Sequence, residues 1–304
     1  IKSVPTFENG KLNAIVYSVI ATFLALFGRY DVIHIHAEGP CSMIWLPHLF
    51  GIHTVATIHG LDWQRAKWGG FATKFLKFGE KTAAKYADEL IVLSEGTRDY
   101  FKKTYGRETV FIPNGIDVQN EKKADIITKK YGLEKDGYIL FLARIVPEKG
   151  LHYLIGAFMH TDTDKKLVIA GGVSNSSEYA KQIHDMAKDD RIIFTGFVEG
   201  DELWELYYNC RMYVLPSDVE GMPISLLEAM ACGCECLVSD IDTAKNVVGE
   251  YGYTFKKSDV NDLKSKLCEM LGKPKADKAE QIEYVKNNYS WDEITDRTLE
   301  LYKK

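Results

Sequence analysis

Ten short apolar runs, separated by stretches of helical length, leave this chain few folds to choose from. In the first half they are Asp31–His36, Thr54–Ile58, Glu89–Leu93 and Thr109–Ile112. In the second half they are Tyr138–Ala143, Lys166–Ala170, Arg191–Thr195, Met212–Leu215, Glu235–Val238 and Tyr253–Phe255. Strands that alternate with helices predict parallel sheets covered on both faces, an α/β architecture. A length of 304 residues suits about two such domains. The polar, Lys-rich stretch 117–137 parts the two sets and predicts a connection holding one short helix. The expected division is a first domain over 1–117, a second over 118–289, and a terminal helix over Ser290–Tyr302. Ser290 and Glu293 stand in capping-box spacing at the start of that helix.

Other classes are excluded. With 46% hydrophobic and 27% charged residues, the chain is neither disordered nor collagen-like. Residues 118–304 carry 25 Lys/Arg against 32 Asp/Glu, an acidic balance that argues against a nucleic-acid footprint there. Three of the six cysteines fall in the run CGCEC at 232–236, but a second ligand cluster of the zinc type is missing, so they read as small core residues. No signal-peptide pattern is present, which makes a reducing cytoplasm the expected compartment. Leu12–Phe27 is apolar except at Asn13, Ser18 and Thr22, yet it falls short of the roughly 18–20 residues of a membrane span. It predicts a helix buried on most sides. The start at Ile1, in what reads as a mid-domain connection, suggests a fragment or a processed form.

In open parallel sheets, ligands bind beyond the carboxyl ends of the strands. After Met212–Leu215 comes DVEGMPISLLEAMACG, Asp218–Gly233. Glu220 sits in the expected loop, Gly221 allows close backbone approach, and Pro223 suits the first helical position. Glu228 lies more than one turn inside the helix. A helix mouth with unpaired N–H groups accepts phosphate, and flanking carboxylates accept hydrogen bonds from sugar and ribose hydroxyls. After Tyr138–Ala143 come Arg144 and Lys149, two cations suited to a diphosphate leaving group.

Arg144-x4-Lys149-Gly150 followed by Glu220-x7-Glu228 resembles the retaining family-4 glycosyltransferases of the GT-B fold. Ala170-Gly171-Gly172, Thr195-Gly196-Phe197-Val198 and Phe111–Asp117 agree with it, and the likeness runs from about Asp31 onward. The resemblance implies two Rossmann-like domains facing a cleft, with a terminal helix crossing back to the first. It implies that Arg144, Lys149, Gly221 and Met222 hold the donor diphosphate and that Glu228 holds the ribose. Glu220 would contact the transferred sugar, and Phe197 and Val198 would meet the nucleobase. In the first half, His59 stands after Thr54–Ile58 and would act beside Glu220. His36 and, more weakly, Glu38 are acceptor-side candidates, whereas His34 reads as packing. No cofactor or metal is expected: Asp240-Ile241-Asp242 spells a metal-binding triplet found in other glycosyltransferases, but Arg144 and Lys149 fill that electrostatic role. The family's Gly-Gly-x-x-Glu run is replaced by Ile241–Asn246, and its opening strand and Gly-rich loop are not found before Asp31. An exposed sheet edge and an incomplete acceptor side are therefore expected, from truncation or from a reduced relative.

Trp63–Lys85 interleaves six Lys/Arg with Trp63, Trp68, Phe71, Phe75 and Phe78. Such a helix either buries its Phe stripe or lies on an anionic membrane. Weak peripheral binding is the expectation. The resulting reading is a hexosyltransferase acting with retention on a nucleotide-diphosphate sugar and a glycan or lipid-linked glycan, in bacterial surface polysaccharide or capsule synthesis. A nucleotide-sugar epimerase of the same fold and a non-catalytic nucleotide-sugar binder are the alternatives.

Overall fold

A computed structural model describes residues 3–5, 13–65, 69–172 and 177–303. These form two compact units. The first runs through Asn114 and takes in the chain from Asp292 onward; the second is Gly115–Trp291.

In the first unit the chain runs α1 (Asn13–Leu26), β1 (Val32–His36), α2 (Glu38–Cys41), α3 (Trp45–Leu49), β2 (His53–Ile58), α4 (Gly70–Tyr86), β3 (Glu89–Val92), α5 (Glu95–Tyr105) and β4 (Val110–Phe111). The four strands are parallel in the order β1-β2-β3-β4. Local chemistry sets the helix ends. Ser94 caps α5 by accepting from the Thr97 N–H, and Gly106, at φ +63°, closes it in the left-handed region.

The second unit continues with α6 (Ile126–Tyr131), β5 (Tyr138–Leu142), α7 (Leu151–Met159), β6 (Lys166–Ala170), α8 (Ser177–Met186), β7 (Ile192–Gly196), α9 (Gly200–Asn209) and β8 (Met212–Leu215). It ends with α10 (Ile224–Ala231), β9 (Cys236–Ser239), α11 (Asp242–Val248), β10 (Tyr253–Phe255), α12 (Val260–Leu271) and α13 (Ala279–Asn288). Its parallel sheet has the order β10-β9-β8-β5-β6-β7. This is the doubly wound Rossmann order, with the strand order reversing between β5 and β8. Ile139, Phe141, Leu167, Ile169 and Val214 of the strands pack with Leu154, Ile155, Phe158, Leu263 and Leu267 of the helices, all fully buried. Each such side chain contributes roughly 1.5–3 kcal/mol of transfer free energy.

The last helix, α14 (Trp291–Tyr302), lies on the first unit. Its Ile294 and Leu301 pack with Val55, Ile91 and Ile112. The Tyr302 hydroxyl meets His34 Nδ1 at 2.6 Å, and Arg297 donates to the Phe111 carbonyl at 2.5 Å.

Three expectations change. The boundaries fall at 114/115 and 291/292 because the Ile116 N–H bonds the Tyr289 carbonyl and Gly115 abuts the Trp291 ring, which ties both segments to the second unit. The segment 117–137 holds the one expected short helix, α6, but belongs to the second unit. Glu205 accepts from the N–H groups of Asp125 and Ile127, while Asn209 donates to the Lys122 carbonyl. Finally, α1 is not buried on most sides. It packs against α2 and α3 with Ser18 and Thr22 as its buried residues, their hydroxyls bonding the Ala14 and Ser18 carbonyls, and it exposes Tyr17, Phe23 and Leu24. Leu12, at its expected start, lies outside the described residues. No described helix is long and apolar enough to cross a membrane.

Candidate functional site

The crevice rule points to the carboxyl ends of β5 and β8, where the strand order reverses. The loop after β5 carries Arg144 and Lys149; the loop after β8 carries Ser217, Glu220 and Gly221. Gly150 lets the two loops touch: at φ +66°, a Cβ there would stand 1.9 Å from the Pro216 carbonyl oxygen. The Asp218 N–H then bonds the Glu148 carbonyl at 2.9 Å.

This contact brings Lys149 Nζ to 2.5 Å from Glu220 Oε1, with side chains 15% and 7% exposed. Ser217 Oγ donates to the same oxygen at 2.6 Å. Arg144 is exposed, and no hydrogen bond of its guanidinium is found among the described residues. Gly221 is half-buried and Met222 buried, leading into α10. Pro223 is the cap of that helix rather than its first residue, with φ −77° and ψ 107°, so the helix opens at Ile224.

One turn further in, Glu228 Oε2 accepts from the Tyr207 hydroxyl at 2.8 Å. Burial raises the Glu228 pKa, and the Tyr207 hydrogen bond opposes the shift. At the end of β7, Phe197 is 76% exposed while Val198 turns inward.

In the first unit, β1 and β2 pair in parallel with His36 opposite Thr57, so His36 and the residue after β2, His59, share the carboxyl edge. His36 Nδ1 lies 3.1 Å from His59 Nε2, and the rings stack at 5.3 Å between centroids. Both pKa values are lowered, first by burial. His34 stacks on His36 and is held by Tyr302 and by Thr57 Oγ1 at 2.7 Å; burial, then the neighbouring histidines, pushes it down to about 4. It is packing.

Glu38 is not on the acceptor surface. It opens α2 and is fully buried, because α2 lies directly on α4. The Phe stripe of α4 is not core either: Phe71 and Phe78 are 76% and 52% exposed, and the buried face is Leu76, Gly79, Glu80, Thr82, Ala83 and Ala84. Lys67 and Trp68 of that basic-aromatic run lie outside the described residues. In the DxD triplet, Asp240 Oδ1 accepts from the Lys257 N–H and Asp242 begins α11. Among the described residues, no group of three or more His, Cys, Asp or Glu is placed to hold a metal ion.

Sequence reasoning missed Ser217 and Tyr207. The first had a signal in its Ser-x-x-Glu spacing to Glu220; the second had none, since it reaches Glu228 from a different helix.

Residues 1–120 match the family Glycosyltransferase Family 4, and residues 123–288 match Glycosyl transferases group 1. The chain is 26% identical over 288 residues to alpha-maltose-1-phosphate synthase of Mycolicibacterium smegmatis, covering 84% of this chain and 74% of that protein. It is 26% identical over 187 residues to O-antigen chain mannosyltransferase B of Escherichia coli, covering 58% of this chain and 48% of that protein. Anabaena HepE, solved in complex with UDP and glucose, superposes with a TM-score of 0.81 at 19% identity, over 97% of this chain and 83% of that one. The fold is GT-B: two Rossmann-like α/β halves, each with a parallel sheet.

Proposed function

The chain belongs to the group 1 glycosyltransferases, and from that premise we propose that it transfers a hexose from a nucleotide-diphosphate sugar to a glycan hydroxyl with retention of anomeric configuration. The observation that carries the reading is the Lys149–Glu220 contact at 2.5 Å, set where the strand order of the second sheet reverses and beside the mouth of α10. The UDP and glucose bound in HepE support a nucleotide-sugar donor, and the O-antigen mannosyltransferase supports a role in bacterial surface polysaccharide or capsule synthesis.

Bond breaking builds positive charge on the sugar ring and negative charge on the departing diphosphate. Arg144 and Lys149 stabilise the diphosphate charge together with the Gly221–Met222 backbone at the helix mouth, in place of a metal or other cofactor. Glu220, oriented by Ser217 and Lys149, accepts hydrogen bonds from the donor sugar. Glu228 accepts them from the ribose, and the Phe197–Val198 segment receives the base. On the first unit, His59 orients the sugar and His36 serves the acceptor. The exposed Phe71 and Phe78, flanked by Lys74, Lys77, Lys81 and Lys85, support weak binding to an anionic membrane and hence a lipid-linked acceptor at the cytoplasmic face.

The test is a panel of nucleotide-sugars with glycan and lipid-linked acceptors, scored by release of nucleoside diphosphate and by the anomeric configuration of the product. Acceptor-dependent release is expected, and Glu220→Ala abolishes it while the fold persists. Conversion of donor without acceptor, or nucleotide binding with no turnover, overturns the proposal.

A further inference from the structure

The first unit holds a buried carboxyl pair that no step above uses. Glu80 on α4 is fully buried and accepts three hydrogen bonds: from Trp63 Nε1 at 2.9 Å, Tyr100 Oη at 2.8 Å and Tyr105 Oη at 2.5 Å. Beside it stands Glu38, also fully buried, and neither of its oxygens has a donor among the described residues. A buried carboxyl without donors keeps its proton. Burial, then the Glu80 charge, pushes Glu38 up to about 9. The closeness is built into the backbone. A Cβ on Gly79 would stand 1.8 Å from the Glu38 carbonyl oxygen, so glycine is what lets α4 rest on α2.

What this cluster grips is the segment after β2. His59 leads into a single 3-10 turn, Asp62–Gln64, whose own bonds are local: the Asp62 N–H to the Gly60 carbonyl, the Gln64 N–H to the Leu61 carbonyl, and Arg65 to Asp62 at 3.0 Å. None of these reaches the body of the unit. The Trp63 indole does, through Glu80, with Lys77 over its ring at 4.1 Å. Glu80 is too deep to touch a substrate; its effect passes through Trp63.

We propose that Glu80, backed by Glu38, is a positioning residue that fixes the His59–Arg65 segment through the Trp63 indole and so sets the placement of His59. This rests on the glycosyltransferase reading for its kinetic consequence, but not for its structural one.

Trp63→Phe keeps the ring and removes the N–H; Glu80→Gln keeps the shape and weakens the grip. In the full chain both are expected to lower kcat about tenfold, with donor and acceptor KM within about twofold. Amide hydrogen exchange over 59–65 should quicken by about tenfold, while β2 amides keep their wild-type rate. Tyr100→Phe, which removes a different donor from Glu80, leaves kcat near wild type. Wild-type exchange over 59–65 in Trp63→Phe overturns the proposal, as does a kcat within about twofold of wild type. If Glu80→Gln does not fold, Trp63→Phe decides alone. If the wild-type protein transfers no sugar, the functional reading fails while the exchange measurement still judges the anchor.

Discussion

Replacing Lys149 by alanine separates a structural ion pair from a catalytic cation. In the folded protein Glu220 holds two donors on one oxygen, Lys149 Nζ at 2.5 Å and Ser217 Oγ at 2.6 Å, and is 7% exposed. Removing one partner of a buried pair costs about 3–5 kcal/mol, because the other charge is stranded. Here the Ser217 bond remains and Lys149 is itself partly open to water, so the expected loss is about 2–3 kcal/mol. For a unit of this size that lowers the melting temperature by about 5–10 °C. Lys149→Ala/Glu220→Gln takes away the stranded charge and should recover most of that loss. Turnover behaves differently. A cation aimed at developing diphosphate charge is worth about 10²–10³ in kcat, the scale of a deleted oxyanion donor. Calorimetry scanned through the unfolding transition, and nucleoside-diphosphate release run well below the midpoint of the variant, read the two effects independently. Turnover of Lys149→Ala within about threefold of wild type would refute the assignment of Lys149 to the diphosphate.

Three further outcomes are expected. His34 stays neutral in the folded protein down to about 4, against 6.5 for the free side chain, so the unfolded state takes up its proton first. Stability should fall as pH drops from about 6.5 to about 4, by up to roughly 3 kcal/mol, and this contribution should level off below that. An unchanged acid slope in His34→Gln counts against it. Glu228→Ala should lower donor kcat/KM about 10–100-fold, as a lost hydrogen bond to a charged group does, with acceptor KM unaffected; an unchanged donor KM removes it from the ribose. Arg211 is buried against Glu235 and also donates to the Met270 and Lys273 carbonyls, so Glu235→Ala strands a guanidinium and should cost about 3–5 kcal/mol in urea unfolding. A loss under about 1 kcal/mol contradicts that account.

All ten strands were legible, displaced by at most one residue at either end, because alternation of apolar runs with helical stretches is a local property of the chain. The strand-end rule then placed Arg144 and Lys149 on the loop after β5 and Glu220 on the loop after β8 without coordinates. It failed for Glu38, which follows a strand as His59 does but lies under α4; nothing local distinguishes a carboxylate facing water from one closed over by a helix 40 residues on. For the Phe stripe of α4 the sequence left burial and surface exposure both open. Spacing located the stripe, but the neighbouring α2 took the Gly79–Glu80 face and left Phe71 and Phe78 in water.

The sequence by itself determined the elements, their parallel sense and the charges that end them, since each follows from residues a few positions apart. Only the tertiary structure decided that β5 lies beside β8, that Gly150 lets their loops meet, and that Lys149 closes on Glu220, 71 residues away. Those contacts depend on which strands become neighbours, and that choice is made by burial summed over the whole unit, which no short stretch of chain contains.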